Sequence, residues 1–351
     1  MNTKTVHDDD DDRFCDRLPK LECHAHLNGS IPRETFRHLR AEAISRHPEL
    51  ALSEFPFGCQ SIDRFFRAFQ DDIYKVTDTP SAISYATESV LKSFEKDGCV
   101  YLELRTTPRT SSFMNMEEYL EAVLGVIEAF DQEKMLIRLI LSVDWKHQQH
   151  EALSIVDLGA RFRNRGVVGI DVCGNPILSE KFQQLIPALT RAREMGLKIT
   201  LHFAEIASQQ PYLIQHLEGF QPDRLGHATF LSTMAQHYVV ERKLPIEICI
   251  SSNIKCGTVA SIEAHHFKWA LEHYIPVLIS ESDTDDVLVF DNSSSQEYSI
   301  ALQLLKGKRS HLIQLVKVGI EHIFGSTEDK LWLNQKLNAF QSTEEKQDVL
   351  S

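Results

Sequence analysis

Eight short runs rich in apolar, β-branched or aromatic residues recur along the chain, at 18–27, 99–107, 136–144, 167–174, 198–205, 224–229, 245–252 and 276–282. Several are almost continuously apolar, as strands buried on both faces of a parallel sheet must be. Stretches with helical spacing lie between them, among them 81–96, 116–133, 150–163, 179–195 and 261–273. Two of these end in a glycine, Gly98 and Gly196, as expected at a helix terminus. Strands alternating with helices over about 250 residues or more predict a single (β/α)₈ barrel of the α/β class. A doubly wound open sheet is the alternative, but no G-x-G-x-x-G follows the first run.

Two segments fall outside the alternation. Residues 31–80 contain Phe36, Phe55, Phe57, Phe65, Phe66 and Phe69, and read as helices capping the barrel mouth; residues 295–333 read as closing helices. The run Asp8 to Asp12 repels itself, so residues 1–13 are expected to form a disordered acidic tail. Residues 14–340 then form one domain, with 341–351 a flexible C-terminus.

Charge and cysteine usage narrow the partners. A net charge of −13 over 351 residues argues against a general nucleic-acid or membrane surface, while a local basic pocket for one phosphate stays compatible with it. The seven cysteines show no C-x-x-C spacing, and Cys23, Cys99, Cys173 and Cys249 lie in apolar runs, so they read as buried thiols in a reducing compartment. With no signal-like segment and no run of about 18 apolar residues, the cytoplasm is expected. A small-molecule substrate and a monomer complete the expectation.

The chemistry begins at His24-Ala25-His26. In a strand, residues i and i+2 share a face, so two imidazoles there can converge on one divalent metal. Barrel enzymes place working groups at the C-terminal ends of strands. His202 and Glu205 close the fifth run, His227 lies in the sixth, and Asp283-Thr-Asp-Asp286 follows the eighth. A lone histidine at a strand end is ordinarily a hydrogen-bonded core residue; their joint placement is what singles these out. Three neutral imidazoles and a carboxylate suit Zn²⁺, with a position left for water whose pKa falls from about 15.7 to about 7. His24, His26 and His202 can supply the nitrogens and an aspartate after the eighth run the oxygen. Glu205 is placed to move protons, His227 to orient the hydroxide or accept its proton, and a second aspartate to hold a substrate ring nitrogen.

The motifs H-A-H-L-N-G-S, L-H-F-A-E, R-L-G-H, S-S-N and T-D-D-x-x-V-F, in this order, resemble the adenosine deaminase family of metal-dependent (β/α)₈ barrels across residues 18–335. The stretches 103–109, 169–176 and 290–298 are most similar to its adenosine deaminase-like branch, which acts on N6-methyl-AMP. The resemblance implies one Zn²⁺ per chain on His24, His26, His202 and Asp285, with Glu205 donating a proton to purine N1, His227 handling the attacking hydroxide and Asp286 binding N7. It further implies a substrate lining of His26, Asn28, Thr106, Thr107, Pro108, Arg109, Asp144 and Gly174, the glycine letting backbone approach the purine. Arg109, with Arg105 as the alternative, is the phosphate candidate. Glu22 and Glu103 read as structural ion-pair partners.

The implied reaction is hydrolytic deamination at purine C6, N6-methyl-AMP giving IMP and methylamine. Adenosine deamination and a catalytically impaired purine-binding barrel are the alternatives. Three departures bear on it. Ala228 replaces the family's glycine after the hydroxide-handling histidine, and alanine resists positive φ. The 279–286 connection is longer than the family's, so Asp283 competes with Asp285 as ligand, and a one-residue error would change face. Tyr74 stands near where the branch has a histidine.

Overall fold

The computed structural model describes residues 9–52, 55, 72–280 and 293–350. Eight strands, β1 (Lys20–Glu22), β2 (Cys99–Thr106), β3 (Leu136–Asp144), β4 (Val167–Cys173), β5 (Lys198–Phe203), β6 (Arg224–His227), β7 (Ile246–Ile248) and β8 (Val277–Ile279), pair in sequential order. Every neighbouring pair is parallel, and β8 returns against β1, giving a nearly closed barrel. The β1 edge continues past its last regular residue, because Leu27 N–H donates to Arg105 O at 2.8 Å and Arg105 N–H to Ala25 O at 2.7 Å. That extension carries His24 and His26 up to the mouth.

Local chemistry explains the helices that connect the strands. Helix α1 (Asp9–Arg17) precedes β1, and α2 (Arg33–Ala43) lies in the capping segment. Helix α3 (Pro80–Lys96) starts on Thr79, whose Oγ1 accepts from Ala82 N–H at 3.2 Å, and stops at Gly98, φ +79°. Helix α4 (Met116–Ala129) opens with an Asn115/Glu118 capping box and buries Tyr119, Leu120, Val123, Leu124 and Ile127 on one face. The helical pattern at 179–195 divides instead of running through: a 3₁₀ stretch, Pro176–Leu185, gives way to an α-helix at Ile186–Glu194. Pro187 has no N–H for the preceding turn, so it can sit only at the new helix start.

The closing helices α5 (Ser294–Leu304) and α6 (Arg309–His322) cover β1 and β8, and α7 (Thr327–Leu350) packs on α6. Tyr298 Oη accepts from Leu21 N–H and donates to Leu21 O, both at 3.2 Å. Among the described residues, helix extends into both end segments. The helix begins at Asp9, inside the expected 1–13 tail, because Arg309 neutralises Asp10 and Asp11 at 2.5 and 2.8 Å while Phe14 buries against Phe340. Residues 1–8 lie outside the described residues. At the other end α7 runs through most of 341–351, tied to α1 by Arg17–Glu344 at 2.8 Å. In the capping segment Phe36 packs against Phe55 with ring centroids 4.6 Å apart and planes tilted by 55°; Phe57, Phe65, Phe66 and Phe69 fall outside the described residues. Among the described residues no helix is long and apolar enough to cross a membrane.

The barrel interior is charged where such barrels are ordinarily filled by branched aliphatics. Glu103, Arg105, Asp171, Arg224 and Glu247 are wholly buried in it. Arg224 pairs with Glu103 and with Glu247 (2.7 Å), and Arg105 pairs with Glu247 and with Asp171 (3.3 Å). This polar layer is the floor of the site.

Candidate active site

Four imidazoles converge above that floor, two from the β1 extension, one from β5 and one from β6. The ring centroid of His24 lies 4.6 Å from that of His202 and 4.8 Å from that of His227, and His26 stands 5.1 Å from His202. Ligating atoms of His24, His202 and His227 fall within 4.8 Å of one another. His26 and His202 present their Nε2 atoms 3.2 Å apart. Ligands on a tetrahedral ion with Zn–N bonds of about 2.0–2.1 Å are separated by about 3.3 Å, so the spacing suits such an ion.

Carboxylates hold two rings from behind. Glu247 Oε2 is 2.7 Å from His24 Nδ1, and Asp171 Oδ1 is 2.9 Å from His202 Nδ1. A carboxylate accepts only, so each Nδ1 carries the proton and each Nε2 is the basic nitrogen turned towards the cluster. Burial, followed by the Arg105 charge, lowers the His24 pKa and favours the neutral ring a ligand requires. Burial by itself would raise Asp171 and Glu247. The charges of His202 and Arg105 on Asp171, and of Arg105 and Arg224 on Glu247, outweigh it and hold both carboxyls below their ordinary values. Thr200 and Ser142 hydroxyls complete them, at 2.9 Å to Glu247 and 3.1 Å to Asp171. Gly226 makes room for the His24 ring, since a Cβ there would lie 2.7 Å from its Cε1.

The acid–base candidates come from two neighbouring turns. Glu205 follows β5 after Ala204, which has φ +51°, and its N–H donates to Gln209 Oε1 at 2.7 Å. His227 ends β6 with φ +61°, and Ala228 follows at +53°. Alanine therefore does adopt the left-handed conformation it was expected to resist, at a cost of about 1–3 kcal/mol that the surrounding hydrogen bonds must offset.

At the mouth the expected lining is partly assembled. The Arg109 guanidinium lies between the rings of Tyr74 and Tyr119, 4.4 and 4.8 Å from their centroids, and Nη2 donates to Thr77 O and Oγ1 at 2.9 and 2.5 Å. Tyr119 Oη shares a hydrogen bond with Thr106 Oγ1 at 2.6 Å and accepts from Asn28 Nδ2 at 3.3 Å. Thr107 and Pro108 complete the turn, half-buried and buried. Gly174 has φ +95° and meets Asp144, whose Cγ a Cβ would approach to 2.5 Å, so its backbone makes space for that carboxylate as well as for any ligand. Asp144 also accepts from Lys146 N–H at 2.9 Å.

Arg105 is removed as a phosphate candidate: it is buried in the barrel floor on Asp171 and Glu247, where no phosphate can reach it. Glu103 is the ion-pair partner expected, while Glu22 accepts from His24 N–H at 2.6 Å. Asp283, Asp285 and Asp286 lie outside the described residues. The residues missed by sequence reasoning are Asp171, Glu247, Thr77 and Tyr119. The first two did leave a trace, each a carboxylate between two β-branched residues in Ile170-Asp171-Val172 and Ile246-Glu247-Ile248.

A parallel eight-stranded barrel with carboxylate-backed imidazoles at its C-terminal mouth defines a metal-dependent barrel hydrolase. Residues 19–340 match the family model for adenosine deaminase, and the chain belongs to that family. It is 33% identical over 342 residues to the N6-mAMP deaminase of Arabidopsis thaliana, covering 89% of this chain and 94% of that protein. It is 36% identical to the N6-Methyl-AMP deaminase-L of Xenopus laevis, covering 92% and 94%. The crystal structure of Arabidopsis N6-mAMP deaminase superposes with a TM-score of 0.85 at 32% identity, covering 93% of this chain and 99% of that one. Arabidopsis ADAL complexed with IMP gives 0.86 at 32% identity, covering 93% and 98%.

Proposed function

We propose that this chain is a zinc-dependent aminohydrolase that converts N6-methyl-AMP to IMP and methylamine. The observation that carries the choice of a nucleotide is Arg109. A guanidinium held between two aromatic faces at the mouth is a preorganised phosphate receptor, which a nucleoside would leave unused. The names of the relatives, N6-methyl-AMP deaminases among them, and the IMP bound by one neighbour agree with that choice.

The donor set fits zinc: the His24 and His202 tautomers are fixed by the carboxylates behind them, and the Nε2 atoms of His26 and His202 stand at tetrahedral separation. His24, His26 and His202 are the proposed nitrogen ligands and Asp285 the proposed carboxylate, with Asp283 its competitor. When bound, zinc supplies Lewis acidity that makes hydroxide available near neutral pH. Glu205 donates its proton to N1 as oxygen adds to C6, so no unbalanced ring charge builds up. His227 accepts a proton from the attacking water and directs it to one face of the ring. Asp286 holds N7, and Asn28, Asp144 and the Thr106–Arg109 turn hold sugar and phosphate, with Gly174 and His26 against the purine. The C6–N6 bond then breaks: methylamine leaves on the proton that His227 took from the water, and the added hydroxyl returns its proton to Glu205 as the C6 carbonyl forms.

Six described cysteines, five of them buried, are thiols and not disulfides, which fits a reducing compartment; the cytoplasm and a monomer are the proposed setting. The impaired-barrel reading loses its first motive, because Ala228 takes up the conformation glycine would. Methylamine release from N6-methyl-AMP by purified protein, with zinc counted per chain, tests the proposal. Release from the nucleotide with little from adenosine is expected; preference for adenosine, or zinc-loaded protein inert towards both, overturns it.

A further inference from the structure

The β6 turn holds two successive L-residues, His227 and Ala228, in the left-handed region, φ +61° and +53°. A single such residue is uncommon outside glycine, asparagine and aspartate, and a consecutive pair needs support from its surroundings. Part of the support comes from the neighbouring turn. Ala228 N–H donates to Phe203 O at 2.9 Å and Phe230 N–H to Ala204 O at 2.7 Å, tying the His227 turn to the one that carries Glu205.

The rest comes from the far side, from residues to which no role has so far been given. His266 Nε2 lies 2.7 Å from the carbonyl oxygen of His227, and since a carbonyl only accepts, this nitrogen carries the proton. The His266 ring stacks on His265, centroids 4.3 Å apart and planes 23° from parallel. Phe267 N–H donates to His265 Nδ1 at 3.1 Å, which fixes the proton of His265 on Nε2. That nitrogen donates to Asn253 Oδ1 at 3.0 Å, and Asn253 Nδ2 donates to Thr229 Oγ1 at 3.3 Å. A chain of contacts thus leaves the turn at the carbonyl of residue 227 and returns to it at the hydroxyl of residue 229. Asn253 and His265 are each 2% exposed, so solvent does not compete for these bonds. Asn253 is the last residue of the S-S-N motif, which the proposed chemistry leaves without a task.

We infer that Asn253, His265 and His266 form a positioning bracket that holds the left-handed His227-Ala228 turn, and with it the His227 imidazole, in its working orientation. The bracket carries a larger load because residue 228 is alanine; glycine there would remove the left-handed cost at one of the two positions, leaving only that of His227. None of the three belongs to the proposed substrate lining. The inference rests on the reading that His227 acts in the deamination, and the tests separate the two.

His266→Leu removes the donor to the turn. Its kcat for N6-methyl-AMP is expected to fall tenfold or more, with KM and zinc content close to wild type. His266→Gln, whose amide can donate to the same carbonyl, is expected to recover most of the loss, and adding Ala228→Gly to His266→Leu to raise kcat at least threefold. Asn253→Ala opens the bracket at its other end, so the comparison stands if His266→Leu does not fold. A lower thermal midpoint in these variants with kcat unchanged overturns the inference, as does a deeper loss on adding glycine. If the wild-type protein does not turn over N6-methyl-AMP, the functional reading fails, and amide exchange over residues 226–232 still reads the bracket. Exchange there is expected at least tenfold faster in His266→Leu and slowed again by Ala228→Gly; unchanged exchange overturns the bracket.

Discussion

His24 Nδ1 and Glu247 Oε2 are 2.7 Å apart, and both side chains are out of reach of solvent. Glu247 is four-handed: besides His24 it serves Thr200, Arg105 and Arg224. It therefore joins the tautomer of a proposed ligand to the charge balance of the whole barrel floor.

Glu247→Gln is expected to lose on both counts. Removing a carboxylate that orients a ligating histidine weakens metal binding by about 10–100-fold. Leaving Arg105 and Arg224 short of a buried counter-charge costs about 3–5 kcal/mol. Zinc competition against a chromogenic chelator measures the first and urea unfolding the second. Asp171→Asn repeats the test at His202, with Arg105 still paired to Glu247. Wild-type zinc affinity in both variants would show that the carboxylates are ion-pair partners and nothing more.

Glu205 is expected to separate chemistry from metal binding. Glu205→Gln keeps shape and hydrogen bonding but has no proton to give N1, so kcat drops by about 10²–10⁴. Zinc content and IMP affinity stay near wild type. Loss of zinc together with activity would place Glu205 on the metal instead.

The barrel was readable in the sequence because its strands are buried on both faces and its helices are not, which separates the two patterns. His24, His26, His202 and His227 were readable because polar residues that end apolar runs stand out. What holds them was not. Asp171 meets His202 across the neighbouring strands β4 and β5, and Glu247 on β7 meets His24 on the β1 extension, pairs 31 and 223 residues apart in the chain that only the barrel brings together. Arg105 shows the same limit from the other side. Four residues before Arg109 in one motif, it looks equally able to bind phosphate, but strand alternation turns it into the barrel floor while Arg109, beyond the end of β2, reaches the mouth. The bracket around His227 was only partly announced: Asn253 belongs to the S-S-N motif and sits in the short helix Ile250–Lys255, while His265 and His266 come from the irregular run before the helix at Phe267 and carry no pattern.

Arg109 and Tyr119 make specificity testable. A charge-assisted contact to phosphate is worth about 1.5–3 kcal/mol, so Arg109→Leu is expected to raise KM for N6-methyl-AMP by about 10–100-fold. N6-methyladenosine, which lacks the phosphate, should be little affected. Tyr119→Leu removes one face of the guanidinium sandwich and is expected to move KM in the same direction by less. Tyr119→Phe keeps the face and loses only the bonds to Thr106 and Asn28. Equal effects of Arg109→Leu on nucleotide and nucleoside would remove Arg109 from phosphate recognition.

His216 gives the fold a pH dependence away from the site. It is wholly buried against Trp145, Phe182 and Phe220, and its Nε2–H donates to Ser179 O at 3.0 Å. Burial pulls its pKa down to about 4, against a smaller upward effect of the Ser179 bond. In the unfolded chain the ring titrates at about 6.5. Between the two values the unfolded state binds the extra proton and the folded state does not, so stability rises with pH across that window. The contribution is fully present above about pH 6.5, declines as pH falls, and is spent near pH 4; the shift corresponds to roughly 3 kcal/mol. Urea unfolding of wild type and His216→Asn at pH 7, 6, 5 and 4 isolates this group from every other titration. The variant starts less stable at pH 7 through lost packing, and the gap to wild type should narrow as pH falls. A gap constant from pH 7 to 4 would mean that His216 titrates alike in both states.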